Sequence, residues 1–328
     1  MTGPGTAAGA REGGARSAPF PLLDPSFWAD WAAVVGLAGL VVVFGLTAPS
    51  FLTLSNLQAV LVASAILMVI AVGQTFVIAT AGIDLSMAAN TMLSAVVLGL
   101  CAARGMNIGA ALLLSLAAAG SVGLVNGLVI TAGRIPDFVV TLGSLSAVTG
   151  LGLVLSGGEP QLVSDLTLLR FASGSVGVLG YPVLAAAALA ALAHVALFHT
   201  RFGVHLLATG GQAESARAMG VRTNRVKVAA YTISGLCAGI AAILLVARIG
   251  SAEPTVNTTL LLNAVAAVVL GGVSLFGGRG SILGPVVGAL MLTTLVNGLT
   301  LLGVSAFYQP LAVGVIVVAA ALVMRYQK

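Results

Sequence analysis

Residues that could do chemistry are few in this chain and far apart. Nine acids and fourteen basic residues are spread over 328 positions. No carboxylate pair and no nucleophile beside a base falls within the apolar segments, so a membrane enzyme is a poor reading. The stretch Gly271 to Pro285, GGVSLFGGRGSILGP, has the glycines of a phosphate cradle but lacks its lysine, so ATP is not expected to bind here in the P-loop manner. His194, His199 and His205 do not fall on one helix face, and Cys101 and Cys237 sit in apolar runs with no second thiol at ligand spacing. Neither a metal nor a cofactor is therefore expected in this chain. What remains is hydrogen bonding and charge in unusual places: Asp84 and Ser86 in the break Ala81-Gly82-Ile83-Asp84-Leu85-Ser86, with Asn90, Asn126, Thr141 and Asn297 in or beside apolar runs. A charge near bilayer depth costs about 3 kcal/mol on insertion scales, so Asp84 needs a compensating role. Either it caps the helix that follows, with Gly82 making the turn, or it lines a path or gate. The amides and hydroxyls either join neighbouring helices or face a hydrated path.

The elements that must position these groups are membrane helices. The chain is 59% hydrophobic and only 7% charged, with a mean hydropathy of +1.13, far from the quarter or so of charged residues in soluble domains. This predicts an all-α polytopic membrane protein. Breaks at Gly, Pro and charge separate about ten apolar runs, near 31–46, 57–80, 85–103, 108–132, 138–156, 181–198, 228–249, 260–275, 282–302 and 308–324. Residues 1–27, rich in Gly, Ala and Pro with Arg11 and Arg16, are expected to form a disordered cytoplasmic tail ahead of a single membrane domain, 28–328. Ten spans with both ends in the cytoplasm put eleven of the fourteen basic residues inside, leaving Arg104, Arg170 and Arg248 outside, which is the bias that orients membrane proteins. Contact with anionic lipid headgroups fits a net charge of +5; nucleic-acid binding does not, since no aromatics interleave the basic residues.

One long polar island interrupts the apolar pattern, from Thr200 to Tyr231, with its most polar part at 200–227. It carries Arg201, Arg217, Arg222, Arg225 and Lys227 against the single acid Glu214, which places it in the cytoplasm. Gly210-Gly211 and Gly220 bracket Gln212 to Met219, long enough for a short helix outside the membrane. The island is either a solvated loop that fixes topology or a docking element. This stretch resembles the cytoplasmic coupling loop of permease subunits from ribose-type ABC importers: Gly210, Gly211, Glu214, Ala216, Arg217, Gly220 and Val221, then Arg225 and Lys227, match in order. Gln212, Ser215 and Met219 depart from the usual asparagine, alanine and serine. Gly82 to Ser86 is similar to the same family's glycine-isoleucine-aspartate-leucine-serine signature, as are Val139 to Gly143 and Gly271 to Pro285.

The resemblance spans Phe51 to Gly314 and implies a subunit of an ABC importer in a bacterial inner membrane, working as a dimer with a second permease copy or homologue. It further implies an ATPase subunit with two nucleotide-binding halves docking on Gly211, Gln212, Glu214, Ala216, Arg217, Gly220 and Arg222, with Arg279 either a topology anchor or a further contact. An external solute-binding protein would deliver a sugar or related polar solute, and Gly157 to Gly180 is the longest outer loop available to it. A branched-chain amino-acid permease and an ion-coupled transporter using Asp84 remain as rivals. The motif Leu-Val-Asn-Gly-Leu occurs at Leu124 to Leu128 and again at Leu295 to Leu299, an offset of 171 that carries runs two to five onto seven to ten. Two inverted five-helix repeats would explain this; chance in a Leu-, Val- and Gly-rich chain is the other explanation.

Overall fold

The computed structural model describes residues 25–325 and the side chains of 33–318. Most of the expected N-terminal tail, 1–27, thus lies outside the described residues. The chain runs α1 (Pro25–Thr47), α2 (Leu54–Ala79), α3 (Met87–Ala103), α4 (Ile108–Gly133), α5 (Asp137–Ser156), α6 (Leu166–Ser173), α7 (Tyr181–Phe198), α8 (Arg201–Gly211), α9 (Ala213–Ala218), α10 (Thr223–Ile249), α11 (Thr258–Leu270), α12 (Leu283–Leu301) and α13 (Gln309–Arg325). Among the described residues, six helices are long and apolar enough to cross a membrane: α2, α4, α5, α7, α10 and α12. Four shorter apolar stretches, in α1, α3, α11 and α13, stand at the other expected runs. The only strands among the described residues are two-residue pairs: β1 (Gln161–Leu162) antiparallel to β4 (Ser251–Ala252), and β2 (Ser175–Val176) to β3 (Leu179–Gly180).

Local sequence sets several of the helix starts. Asn107 Oδ1 accepts from Gly109 N–H at 2.9 Å ahead of α4, Asp165 Oδ1 from Thr167 and Leu168 ahead of α6, and Asn257 Oδ1 from Leu260 at 2.9 Å ahead of α11. Gly157 and Gly250 end α5 and α10 in the left-handed conformation.

Packing centres on α2 and α10. They lie against each other; α10 also carries α3 and α4, and α2 also carries α7, α11 and α12. The α4–α10 contact is the most extensive in the bundle, and glycine lets the two backbones approach: a Cβ at Gly123 would collide with the Tyr231 carbonyl, and one at Gly235 with the Ala119 carbonyl. Small residues at four-residue spacing on each helix, Gly123 and Gly127 against Val228 and Tyr231, and Gly235 and Gly239 against Ala119, let the backbones meet and gain dispersion where lipid offers no hydrophobic drive. By contrast α5 turns Phe138, Leu142, Leu151 and Val154 outward.

The 171-residue offset has a structural counterpart. It carries α2, α3, α4 and α5 to within four residues of the starts of α10, α11, α12 and α13. The packing corresponds as well: α4 and α3 lie on α10 as α12 and α11 lie on α2, and α3 touches α4 and α5 as α11 touches α12 and α13. In both halves the third element is short, 17 residues in α3 and 13 in α11, and each follows a non-helical stretch, 80–86 and 250–257.

Candidate functional site

The break between α2 and α3 lies inside the bundle. Ser234, which bonds to it, sits eleven residues into α10, about 17 Å along a helix of about 40 Å. Asp84 is 1% exposed, and its two oxygens have three donors. Oδ1 accepts from the Ser86 N–H at 3.0 Å and the Ser86 hydroxyl at 2.6 Å; Oδ2 accepts from the Ser234 hydroxyl at 2.7 Å. Asn126 on α4 donates to Ser86 Oγ at 2.8 Å, and Gln74 on α2 donates to the Asp84 carbonyl at 2.9 Å. Thr141 on α5 donates to the Ile83 carbonyl at 3.2 Å. Four helices, α2, α4, α5 and α10, therefore converge on the break, and the buried carboxylate is solvated by two hydroxyls and a backbone N–H.

This corrects the simpler expectation for Asp84. The residue preceding α3 is Ser86, whose side chain makes no capping bond, and Asp84 takes only one N–H of the kind a cap would collect. Its remaining donors are hydroxyls, one of them 150 positions away, so the carboxylate ties α10 to the break. Of the expected polar group, Asp84, Ser86, Asn126 and Thr141 meet here. Asn90 lies one turn into α3 and donates to the Ala119 carbonyl at 3.0 Å. Asn297 does not join them: it exchanges two amide bonds with Asn56, at 2.9 and 3.1 Å, between α12 and the first turn of α2. Gln74 Oε1 and Asn90 Oδ1 are buried acceptors with no partner among the described residues.

Sequence reasoning missed a second layer toward the α9 side. Asp137 opens α5, and its Oδ1 accepts from Lys227 Nζ at 2.8 Å, the one ion pair among the described residues. Its Oδ2 accepts from the Tyr231 hydroxyl at 2.8 Å, and that hydroxyl lies 3.4 Å from the Ile83 carbonyl. Lys227 and Tyr231 are four apart on α10, hence on one face. That spacing is visible in the sequence; their partner 90 positions earlier is not.

The polar island folds as two helices instead of one. α8 fills Arg201–Gly211, with the Thr200 hydroxyl accepting from Gly203 N–H at 3.4 Å, and α9 is the expected short helix, trimmed to Ala213–Ala218. Gly211 and Gln212 form the hinge between them. Glu214 and Arg217 are exposed on α9, Ala216 is its one buried residue, Gly220 turns with φ +87°, and Arg222 leads exposed into α10. Arg279 is exposed in the 271–282 loop. That loop meets α8 and α2 backbone to backbone: Gly278 N–H donates to the Ala79 carbonyl at 3.1 Å, and a Cβ on Gly210 would collide with that same carbonyl and stand 2.8 Å from Gly278 N. Between α9, the α4–α5 turn and the start of α10 lies a cavity of about 350 Å³ lined by Thr80, Arg134, Asp137, Ala213, Arg217 and Lys227, among others. The His194 and His199 rings lie 5.7 Å apart, and among the described residues no three His, Cys, Asp or Glu side chains gather as a metal site would require.

A multi-helix bundle with a buried polar break, joined through backbone to a pair of short polar helices, is an arrangement that suits transport across a membrane. Comparison with known proteins gives the family. Residues 56–324 match the model for the permease component of branched-chain amino acid transport systems. The chain is 36% identical to the ribose import permease of Escherichia coli K12 over 298 residues, covering 89% of this chain and 92% of that one. It is 39% identical to the ribose import permease of Bacillus subtilis, with 89% and 91% covered, and 32% identical to the D-allose transport system permease of Escherichia coli K12, with 90% and 91% covered. No solved structure matches. The chain belongs to this family of ABC importer permease components. It is a multi-pass membrane transport subunit and not an enzyme, and ATP hydrolysis lies in a separate subunit.

Proposed function

We propose that this chain forms the membrane path of an ATP-driven importer for a sugar or a related polyhydroxyl solute. The observation that carries the reading is the continuity between the coupling helices and the break: α8 touches the last carbonyl of α2 through Gly210, and the break begins one residue later. A push on α9 by an ATPase would thus reach Asp84 through rigid backbone. Gly211, Gln212, Glu214, Ala216, Arg217, Gly220 and Arg222 form the docking surface in this reading, with Arg279 beside it. Asp84, Ser86, Asn90, Asn126 and Thr141 form the gate. An unpaired buried amide acceptor costs about 1–3 kcal/mol, so the free oxygens of Gln74 and Asn90 favour opening toward a solute rich in hydroxyl donors. The relatives' solutes, ribose and D-allose, are of that kind.

In the same reading α1–α5, α7 and α10–α13 make ten crossings with both termini in the cytoplasm. The corresponding contacts of α2–α5 and α10–α13 support an inverted repeat, in which paired interrupted helices mark the path. Asn297 is a packing residue here and not part of the gate. The partners are an ATPase with two nucleotide-binding halves, a second permease copy and an external binding protein. This last protein would meet the outer cover formed by α6 and the β1–β4 pair. The test is uptake into proteoliposomes holding this chain, its ATPase and its binding protein. ATP-dependent uptake of a labelled pentose or hexose is expected. Uptake of leucine in its place would overturn the sugar assignment, and uptake driven by an ion gradient without ATP would overturn the importer reading.

A further inference from the structure

We infer that Asp137, Lys227 and Tyr231 form a latch that holds α5 to α10 and keeps the 80–86 break closed until the coupling helices move. The inference rests on the importer reading. The latch joins elements that pack elsewhere through weak or absent contact: α5 leans mainly on α3 and turns most of its surface outward, whereas α10 is the centre of the bundle. One carboxylate spans the gap. Asp137 takes the ammonium of Lys227 on one oxygen and the Tyr231 hydroxyl on the other, each at 2.8 Å. The Lys227 and Asp137 side chains are 24% and 14% exposed, so the pair is sheltered but reachable.

Contact with the break is direct. A Cβ on Gly82 would collide with Asp137 Oδ2 and come within 2.8 Å of the Tyr231 hydroxyl, so the break rests on the latch with no room between. The Ile83 carbonyl lies between Thr141 of α5, 3.2 Å away, and Tyr231 of α10, 3.4 Å away. Separating α5 from α10 would free that carbonyl from one side and release the break. The other side of the latch faces the cavity of about 350 Å³ into which Ala213 and Arg217 of α9 also project. That space lets α9 advance toward the pair, bringing a second cation to a carboxylate already shared by one. The latch therefore stands between the element the ATPase would move and the element that would open. Truncating one member of a sheltered charge pair leaves the other without its counter-charge, which costs more than the pair itself contributes.

The experiment uses the chain in inverted membrane vesicles with Cys101→Ala, Cys237→Ala and one reporter, Thr80→Cys. Thr80 is 4% exposed and borders the cavity. With a membrane-impermeant maleimide, Asp137→Asn and Lys227→Met are expected to raise the labelling rate about tenfold, equivalent to about 1.4 kcal/mol. Lys227→Arg, which keeps the charge, should leave the rate near wild type, and Tyr231→Phe should fall between. A second reporter, Ala241→Cys on the buried face of α10, should stay unlabelled; labelling of both would mean general unfolding and overturn the latch. Unchanged Thr80→Cys labelling in Asp137→Asn overturns it as well, with or without ATP. Loss of ATP-driven uptake in the parent transporter, with the labelling response intact, would instead overturn the importer reading and leave the latch standing.

Discussion

Gly210→Ala and Gly211→Ala should have opposite effects although they add the same methyl group to neighbouring positions of one helix. At Gly211 the new Cβ would lie 3.7 Å from Gly278 Cα, an ordinary contact. Alanine also removes the entropic cost of glycine in a helix, so Gly211→Ala should be neutral or stabilising by up to about 1 kcal/mol. At Gly210 the same helix gain is available, but the Cβ would overlap the Ala79 carbonyl and stand 2.8 Å from Gly278 N. Both neighbours are backbone, so no rotamer change relieves the overlap. Overpacking costs about 1–3 kcal/mol, and an overlap with fixed backbone takes the upper part of that range, about 2–3, which leaves a net loss of about 1–2 kcal/mol after the helix gain of about 1. At about 2–4 °C per kcal/mol for a chain of this order, Gly210→Ala should melt about 2–8 °C lower in detergent. The assay is thermal unfolding of purified protein, wild type beside each variant, followed by ATPase stimulation in the assembled transporter. Gly210→Ala should also weaken that stimulation, because α8 can no longer seat against α2. Equal melting temperatures for the two variants would refute the three-backbone junction.

Three further outcomes follow from the polar contacts and the glycine face. Asp84→Asn keeps an acceptor for Ser86 and a polar group for Ser234 and should retain ATP-driven uptake insensitive to a protonophore, whereas Asp84→Ala strands both hydroxyls and should lose uptake at least about tenfold; protonophore-sensitive wild-type uptake that Asp84→Asn abolishes would point to ion coupling. Asn56→Ala and Asn297→Ala should each lower stability in detergent, and a double-mutant cycle should give a coupling of about 0.6–1.7 kcal/mol; additive effects would mean the reciprocal amide pair is not formed in the membrane protein. Gly123→Leu should drive α4 from α10 and leave little folded protein, measured as monodisperse material after detergent extraction, while Gly143→Leu, whose Cβ would meet nothing within 4 Å, should extract normally.

Much of the scaffold was legible because lipid leaves a chain few options. Apolar runs long enough to cross become helices: among the described residues six of the expected runs stand as helices long enough to cross, and shorter apolar helices stand at the others. The short helix between Gly211 and Gly220 was legible for the same reason, as a polar stretch bounded by glycines. α8 was not, because Gly203, Gly210 and Gly211 lower its local helix propensity; their reason for being glycine is tertiary, in close approaches to the Leu197, Ala79 and Gly278 backbones. The path residues were legible as a type, polar side chains where lipid forbids them unpaired, but not by partner. Asn126 and Asn297 occupy equivalent places in the repeated pentapeptide, yet one bonds Ser86 in the break and the other Asn56 at the far end of α2. Asp137 was legible only as part of a short turn in which Pro136 starts a helix, with no sign of a site role; only the fold brings Lys227 and Tyr231 to it.

The meeting of Ala79, Gly210 and Gly278 also bears on stiffness. Side-chain contacts absorb small displacements by changing rotamer, so a train of them loses motion at every step. Contacts between main chains have less of that slack, so in the importer reading a shift of α8 would reach the end of α2 with little loss. Position 210 leaves little to vary: a larger residue there overlaps the Ala79 carbonyl. Differences in how readily such a transporter fires must then be written elsewhere, in groups that can be strengthened or weakened by degrees, and the carboxylate of Asp137 with its ammonium and phenol neighbours is one place where a single substitution could set that threshold.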